Sequence, residues 1–125
     1  FGKNQPGMLV RDMMQISAIL DSFAPIAKPL YITDVEVPSK NGTGLQDGKV
    51  AGIWNKEWDE LQQGQWINQF YKIALSKQFV NSVTYSHLAD TEGSAIADSG
   101  LLTADLAAKK SYLMLKKLYD GIFGR

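Results

Sequence analysis

The sequence predicts an α/β fold built on a parallel sheet, and three observations carry that expectation. Apolar residues recur every three or four positions over Met8–Phe23, Asp59–Lys77 and Asp105–Phe123, the period of one buried helical face. Between these segments lie two short runs rich in β-branched and aromatic residues, Leu30–Val37 and Ser82–Leu88, which suit pleated strands. The resulting order alternates helix with strand, and strands separated by helices pair in parallel.

Composition bounds the possibilities. At 125 residues the chain is long enough for one small domain with a real core. Thirteen basic residues balance thirteen acidic ones, so no net field recruits nucleic acid or an anionic membrane. No stretch approaches the roughly 18 apolar residues of a membrane span. Cysteine is absent, which removes disulfides and thiolate metal sites. The single histidine, His87, rules out a multi-histidine metal site within the chain, and no cofactor motif is found. The N-terminal run FGKNQPGM lacks both an initiator Met and a basic-then-apolar leader, so a processed product or a fragment is expected.

Taken in order, Phe1–Gly7 is loop, rich in turn formers. The first helix carries Leu9, Met13, Ile16, Leu20 and Phe23 on one face, and Pro25 stops it. Pro29 opens the first strand and Pro38 closes it, as suits residues that cannot donate within a ladder. Ser39–Asn55 is a long glycine-containing loop, a length usually reserved for function or disorder. The second helix has Trp66, Phe70, Ile73 and Ala74 on its inner face. A second glycine-containing loop, Thr91–Leu102, leads towards the last helix, which is expected to bury Leu115, Leu118, Tyr119 and Ile122. Lys109, Lys110, Lys116 and Lys117 are expected on its solvated side.

The chemistry-bearing residues cluster at strand ends. Asp34 and Glu36 close the first strand, and their i, i+2 spacing places both on one face, roughly 6–7 Å apart. They either bring acid chemistry to the mouth of a parallel α/β fold or mark a strand that has ended in water. Trp54 and Trp58 either form a flat stacking surface for a sugar ring or tuck under the loop and hold it down. Tyr85 and His87 share a face of the second strand, where His87 would bond a sugar hydroxyl, Asp34, or a neighbouring backbone group. Asp90 and Glu92 form a rim pair that would bind a cation or, more commonly for loop acids, stay solvated. Asp98, Ser99 and Asp105 suit turns and caps.

The runs PLYITDVEVPS, QGQWINQFYKIALSKQFVNSVTY and SGLLTADLAAKKSY, in that order and followed by a helix, resemble the C-terminal part of glycoside hydrolase family 10. These are the xylanase-like (β/α)8, or TIM, barrels of clan A. The resemblance covers nearly the whole chain, from the helix before barrel strand seven to the last helix. It implies α/β architecture with about two parallel strands, seven and eight, and three helices. It makes residues 1–125 a single partial domain. It places the family's nucleophile, a glutamate, at Asp34, and its strand-eight tryptophan floor at Tyr85 and Ser86. Gly100, Leu101, Leu102 and Tyr112 fall on the family's run into the last helix, and Gln63, Trp66 and Phe70 on the helix after strand seven.

The implied activity is retaining hydrolysis of a β-linked, xylan-like polysaccharide (an endo-1,4-β-xylanase-like reaction), with Asp34 catalytic. Glu36, Trp54, Trp58, Tyr85, His87 and Asp90 would contact the substrate. The family's secreted or periplasmic setting goes with that reading. Two departures stand out. Aspartate retracts the nucleophile by one methylene, on the order of 1 Å, a misplacement that can cost about a hundredfold in rate. The tryptophan floor is replaced by the smaller Tyr85 and by Ser86. A full barrel takes about 250 residues, and the proton-donating glutamate of strand four lies outside this chain. The expected partners are therefore a glycan and either the N-terminal barrel half, in the same or a separate chain, or further copies. Alternatives are a non-catalytic carbohydrate-binding barrel and a structural piece of a split barrel.

Overall fold

Asp12 sets the start of the first helix. Its carboxylate accepts from the Gln15 backbone N–H at 2.8 Å, while the Gln15 side chain accepts from the Asp12 N–H at 3.2 Å. This reciprocal capping box starts α1 at Met13–Asp21, several residues later than the apolar period alone suggests. The computed structural model describes residues 10–40, 53–54, 56–92, 94 and 96–124, so the expected start at Met8 lies outside them. After α1 a 3-10 turn at Ala24–Ile26, with Pro25 in its first turn, leads into strand β1, Leu30–Val35. Two short strands, β2 (Ile53–Trp54) and β3 (Lys56–Glu57), form a small antiparallel ribbon. Asp59 then caps α2 (Glu60–Ser76) by accepting from the Gln62 N–H at 2.8 Å.

Strand β4 spans Val80–Tyr85, starting two residues earlier and ending three earlier than the expected Ser82–Leu88. The last helix, α3, spans Lys110–Phe123 rather than beginning at Asp105. The reason is a closed turn in front of it. The Thr103 N–H donates to Ala107 O at 2.8 Å and the Leu106 N–H to Thr103 O at 2.9 Å, with Leu106 at φ 64°.

β1 and β4 pair in parallel, with Leu30 opposite Val80, Ile32 opposite Val83 and Val35 opposite Tyr85. The register shifts twice along the pair, once between Leu30 and Tyr31 and again between Ile32 and Val35. One face of the sheet is covered. Ile32, Val35 and Val37 pack with Ile16 and Leu20 of α1 and with Trp66, Ile67, Phe70 and Ala74 of α2. Trp66 stacks on Phe70 at 5.2 Å between ring centroids, and its indole N–H donates to Arg11 O at 2.8 Å. At Gly64 helices α2 and α3 approach so closely that a Cβ would lie 2.7 Å from Met114 Sδ and 3.2 Å from Ser111 N.

On the sheet itself, Tyr31, Thr33, Asp34, Asn81 and Thr84 are exposed. Parallel sheets are ordinarily covered on both faces, so a two-stranded parallel pair with exposed strand residues is half of a packing arrangement. The last helix tells the same story. Leu115 and Leu118 are partly buried, but Tyr119, Ile122 and Phe123 are exposed, contrary to the inward placement expected for Tyr119 and Ile122. Together with Tyr71, Leu75 and Val83 they line an apolar groove. No helix among the described residues is long and apolar enough to cross a membrane.

The exposed apolar face predicts self-association of the isolated 125-residue chain. Light scattering should give a mass above the 13.8 kDa of one chain. The double substitution Ile122→Lys and Phe123→Lys should bring it down. A monomer with a sharp cooperative melt would contradict the prediction.

Candidate functional site

The C-terminal end of the β1–β4 pair gathers the chain's polar side chains. β1 stops at Val35, and with it the alternation of a pleated strand. Asp34 and Glu36 therefore do not share an environment, contrary to the expectation from their spacing. Asp34 stays exposed, and its Oδ1 accepts from the Ser86 hydroxyl just past the end of β4. Glu36 is buried.

Burying a carboxylate requires donors in place of water. Glu36 Oε1 accepts from the Ser99 hydroxyl at 2.7 Å and from the Ile96 N–H at 3.3 Å, and His87 Nε2 lies 3.5 Å away. His87 thus faces Glu36, not Asp34 as one expectation had it. Ser99, expected to serve only a turn, is buried and supplies the strongest of these contacts. Tyr85 braces the same segment. Its hydroxyl donates to Ser99 O at 2.7 Å or Val37 O at 3.2 Å, and accepts from the Val37 N–H at 3.3 Å. Burial holds the Tyr85 phenol well above its ordinary range, with the Glu36 charge adding to the effect, while its hydrogen bond to Val37 acts the other way.

A second clasp lies beside the first. Lys109, expected on a solvated face, is buried. Its ammonium pairs with Asp90 Oδ1 at 2.8 Å and donates to Ser39 Oγ at 3.1 Å and Asp98 O at 3.2 Å. Asp90, expected at the rim for a sugar or a cation, accepts in addition from the Gly100 N–H at 2.9 Å. Only glycine fits there, because a Cβ at Gly100 would lie 2.4 Å from the Asp90 nitrogen. Among the described residues no group of three or more potential ligands is placed to hold a metal. Gln63, buried on α2, donates to Val37 O at 3.0 Å and reaches Gly100 O at 3.4 Å, tying the helix to both clasped segments.

Of the two roles open to Trp58, the structure shows the tucked one. The ring is buried and its indole N–H donates to Pro38 O. The Trp54 side chain lies outside the described residues, although its backbone is in β2. The structure therefore brings Glu36, Tyr85 and His87 together, sets Asp34 beside Ser86, and places Asp90 with Lys109. Sequence reading missed Ser99, Ser86 and Lys109 as site-building groups. Each acts through partners 11 to 70 positions away, which a local pattern does not reveal.

No family model and no curated protein matches the chain. Solved structures do. A β-glucuronidase of Bifidobacterium dentium complexed with coumarin-3-O-glucuronide matches at TM-score 0.64 and 18% identity, over 86% of this chain and 17% of that one. A Faecalibacterium prausnitzii β-glucuronidase matches at 0.65 and 16%, over 87% and 18%. An intracellular xylanase of Thermoanaerobacterium saccharolyticum, complexed with xylotetraose, matches at 0.61 and 18%, over 84% and 30%. The chain spans less than a third of the length of each. At such identities the likeness is one of fold: α/β, the C-terminal portion of a (β/α)8 barrel with two parallel strands and three helices.

Two substitutions test the clasps. Tyr85→Phe leaves buried acceptors without their donor and should destabilise the fold by about 1–3 kcal/mol in urea unfolding. The parent chain should also lose stability as pH rises above about 10. Burial pushes the Tyr71 phenol up to about 12 and Tyr85 higher, so the folded state keeps protons that the unfolded state has released. Tyr85→Phe should flatten that alkaline slope, and an unchanged slope would contradict the assignment. Separately, Lys109→Met strands Asp90 and should cost about 3–5 kcal/mol by the same measurement. A loss within 0.5 kcal/mol, about that of an ordinary surface substitution, would show the pair to be incidental.

Proposed function

We propose that the chain is the nucleophile-bearing portion of a glycoside hydrolase that cleaves a β-linked, xylan-like polysaccharide with retention. One observation carries the reading. Asp34 stands exposed at the C-terminal end of a parallel strand, held by a hydroxyl from the neighbouring strand, at the end where barrels place their chemistry. That solved structures sharing the fold include β-glucuronidases and a xylanase supports it.

In this mechanism Asp34 attacks the anomeric carbon as the glycosidic bond breaks. The departing oxygen takes its proton from a general acid on the remainder of the barrel, outside this chain. Water then hydrolyses the glycosyl–enzyme ester and regenerates the carboxylate. Glu36 and Tyr85 brace the loop segments at the same end of the strand pair. His87, partly exposed, is the group of the cluster best placed to meet a sugar hydroxyl. The partner required is the rest of the barrel, whether on the same polypeptide or another, covering the groove beside α3.

A second reading has an observation of its own. The Tyr85 hydroxyl is committed to Ser99 and Val37, so the ring is held to the wall and is not free to serve as a sugar floor. The shorter reach of the aspartate at position 34 sets back attack more than binding, which favours a barrel that binds a glycan without cleaving it. The full-length protein assayed on xylan separates the two. Reducing ends should appear, and Asp34→Ala should lower the rate by roughly three orders of magnitude or more. An unaffected rate refutes Asp34 as nucleophile, and xylo-oligosaccharide binding without turnover selects the second reading.

A further inference from the structure

We infer that Ser86 is a positioning residue for Asp34: its hydroxyl fixes the short carboxylate at the mouth of the strand pair. The inference rests on the proposed role of Asp34 and goes beyond it. Aspartate has one fewer methylene than the glutamate expected at this position, so it reaches less far. A carboxylate on an exposed strand end also spends its time among several rotamers unless something holds it.

Ser86 supplies such a hold. Its backbone N–H donates to Val35 O at 3.0 Å, which seats the residue just beyond the last paired position of β4, opposite the end of β1. From that seat its hydroxyl donates to Asp34 Oδ1, with Val35 O at 3.1 Å as the alternative acceptor. The register shift between Ile32 and Val35 is what makes the meeting possible. It moves Asp34 out of regular alternation at the level where β4 runs into Ser86. A large aromatic residue in place of Ser86 could not make this bond. Phenylalanine has no donor, and the indole N–H of tryptophan lies far from its backbone. The two departures, a shorter acid and a lost aromatic floor, are in this view one paired change.

The test uses the full-length protein and 4-nitrophenyl β-xyloside, whose leaving group needs little acid assistance and so reports on the nucleophile. Ser86→Ala should lower kcat on the order of tenfold or more, with KM within about twofold. Ser86→Thr, which keeps the hydroxyl, should restore most of kcat. The carbon-13 shift of the Asp34 carboxyl at neutral pH should move in Ser86→Ala and return in Ser86→Thr. If Asp34→Ala abolishes turnover while Ser86→Ala leaves kcat and the carboxyl shift unchanged, the positioning role is overturned and the nucleophile stands. If Asp34→Ala leaves turnover intact, the underlying reading fails instead. Equal losses in Ser86→Ala and Ser86→Thr, with no recovery of the carboxyl shift, would also overturn the role.

Discussion

The buried Glu36 carboxylate is the constraint around which the functional end of this chain is arranged. A carboxylate withdrawn from water costs several kcal/mol unless donors replace the lost solvent. Here the donors come from residues 60 or more positions later, Ser99 and Ile96. The loop after β4 must therefore return to the end of β1. That return puts Ser99 O within reach of the Tyr85 hydroxyl and Asp98 O within reach of Lys109. Tyr85, Gln63 and Lys109 form the second layer of a wall whose first layer is one acid.

That wall explains why two acids so close in sequence do different work. Once β1 gives way at Val35, Glu36 turns into the loop cluster while Asp34 stays on the exposed strand end. Glu36 is a structural anion whose oxygen is occupied by protein donors. Asp34 accepts from a hydroxyl of the neighbouring chain segment and remains open to solvent. The nucleophilic role proposed for Asp34 needs that second situation. Glu36 gives the loops a fixed point from which the setting of Asp34 is defined.

Much of the architecture was legible because it follows from period and type. The apolar spacing of Ile16 and Leu20, and of Trp66, Phe70 and Ala74, located two helices and their buried faces. The β-branched runs located two parallel strands. What the sequence concealed were relations at a distance. Lys109 sits among lysines that are exposed, and its burial rests on distant partners, Asp90, Ser39 and Asp98 O. Tyr119 and Ile122 have the spacing of a buried face, but that face has no cover among the described residues. The structure starts α3 later than the apolar period does because the turn closed by Thr103 and Ala107 carries helix-compatible residues. Helical pattern there is real, and tertiary hydrogen bonding overrides it.

The bare side of the strand pair and the apolar groove beside α3 are consequences of one geometry. In a closed barrel each strand is bonded on both edges and each helix packs against two neighbours. A two-stranded piece leaves one edge of each strand and one flank of a terminal helix unmatched. The exposed strand residues are mixed, with Thr33, Asp34, Asn81 and Thr84 beside Tyr31, whereas the groove beside α3 is apolar. An outer flank waiting for another helix should be apolar, and an inner face that opens onto a site should carry polar groups. The two surfaces differ in the direction that barrel closure demands. Simple exposure to water would have made both polar, so the contrast between them argues for closure of the barrel on both sides of the piece.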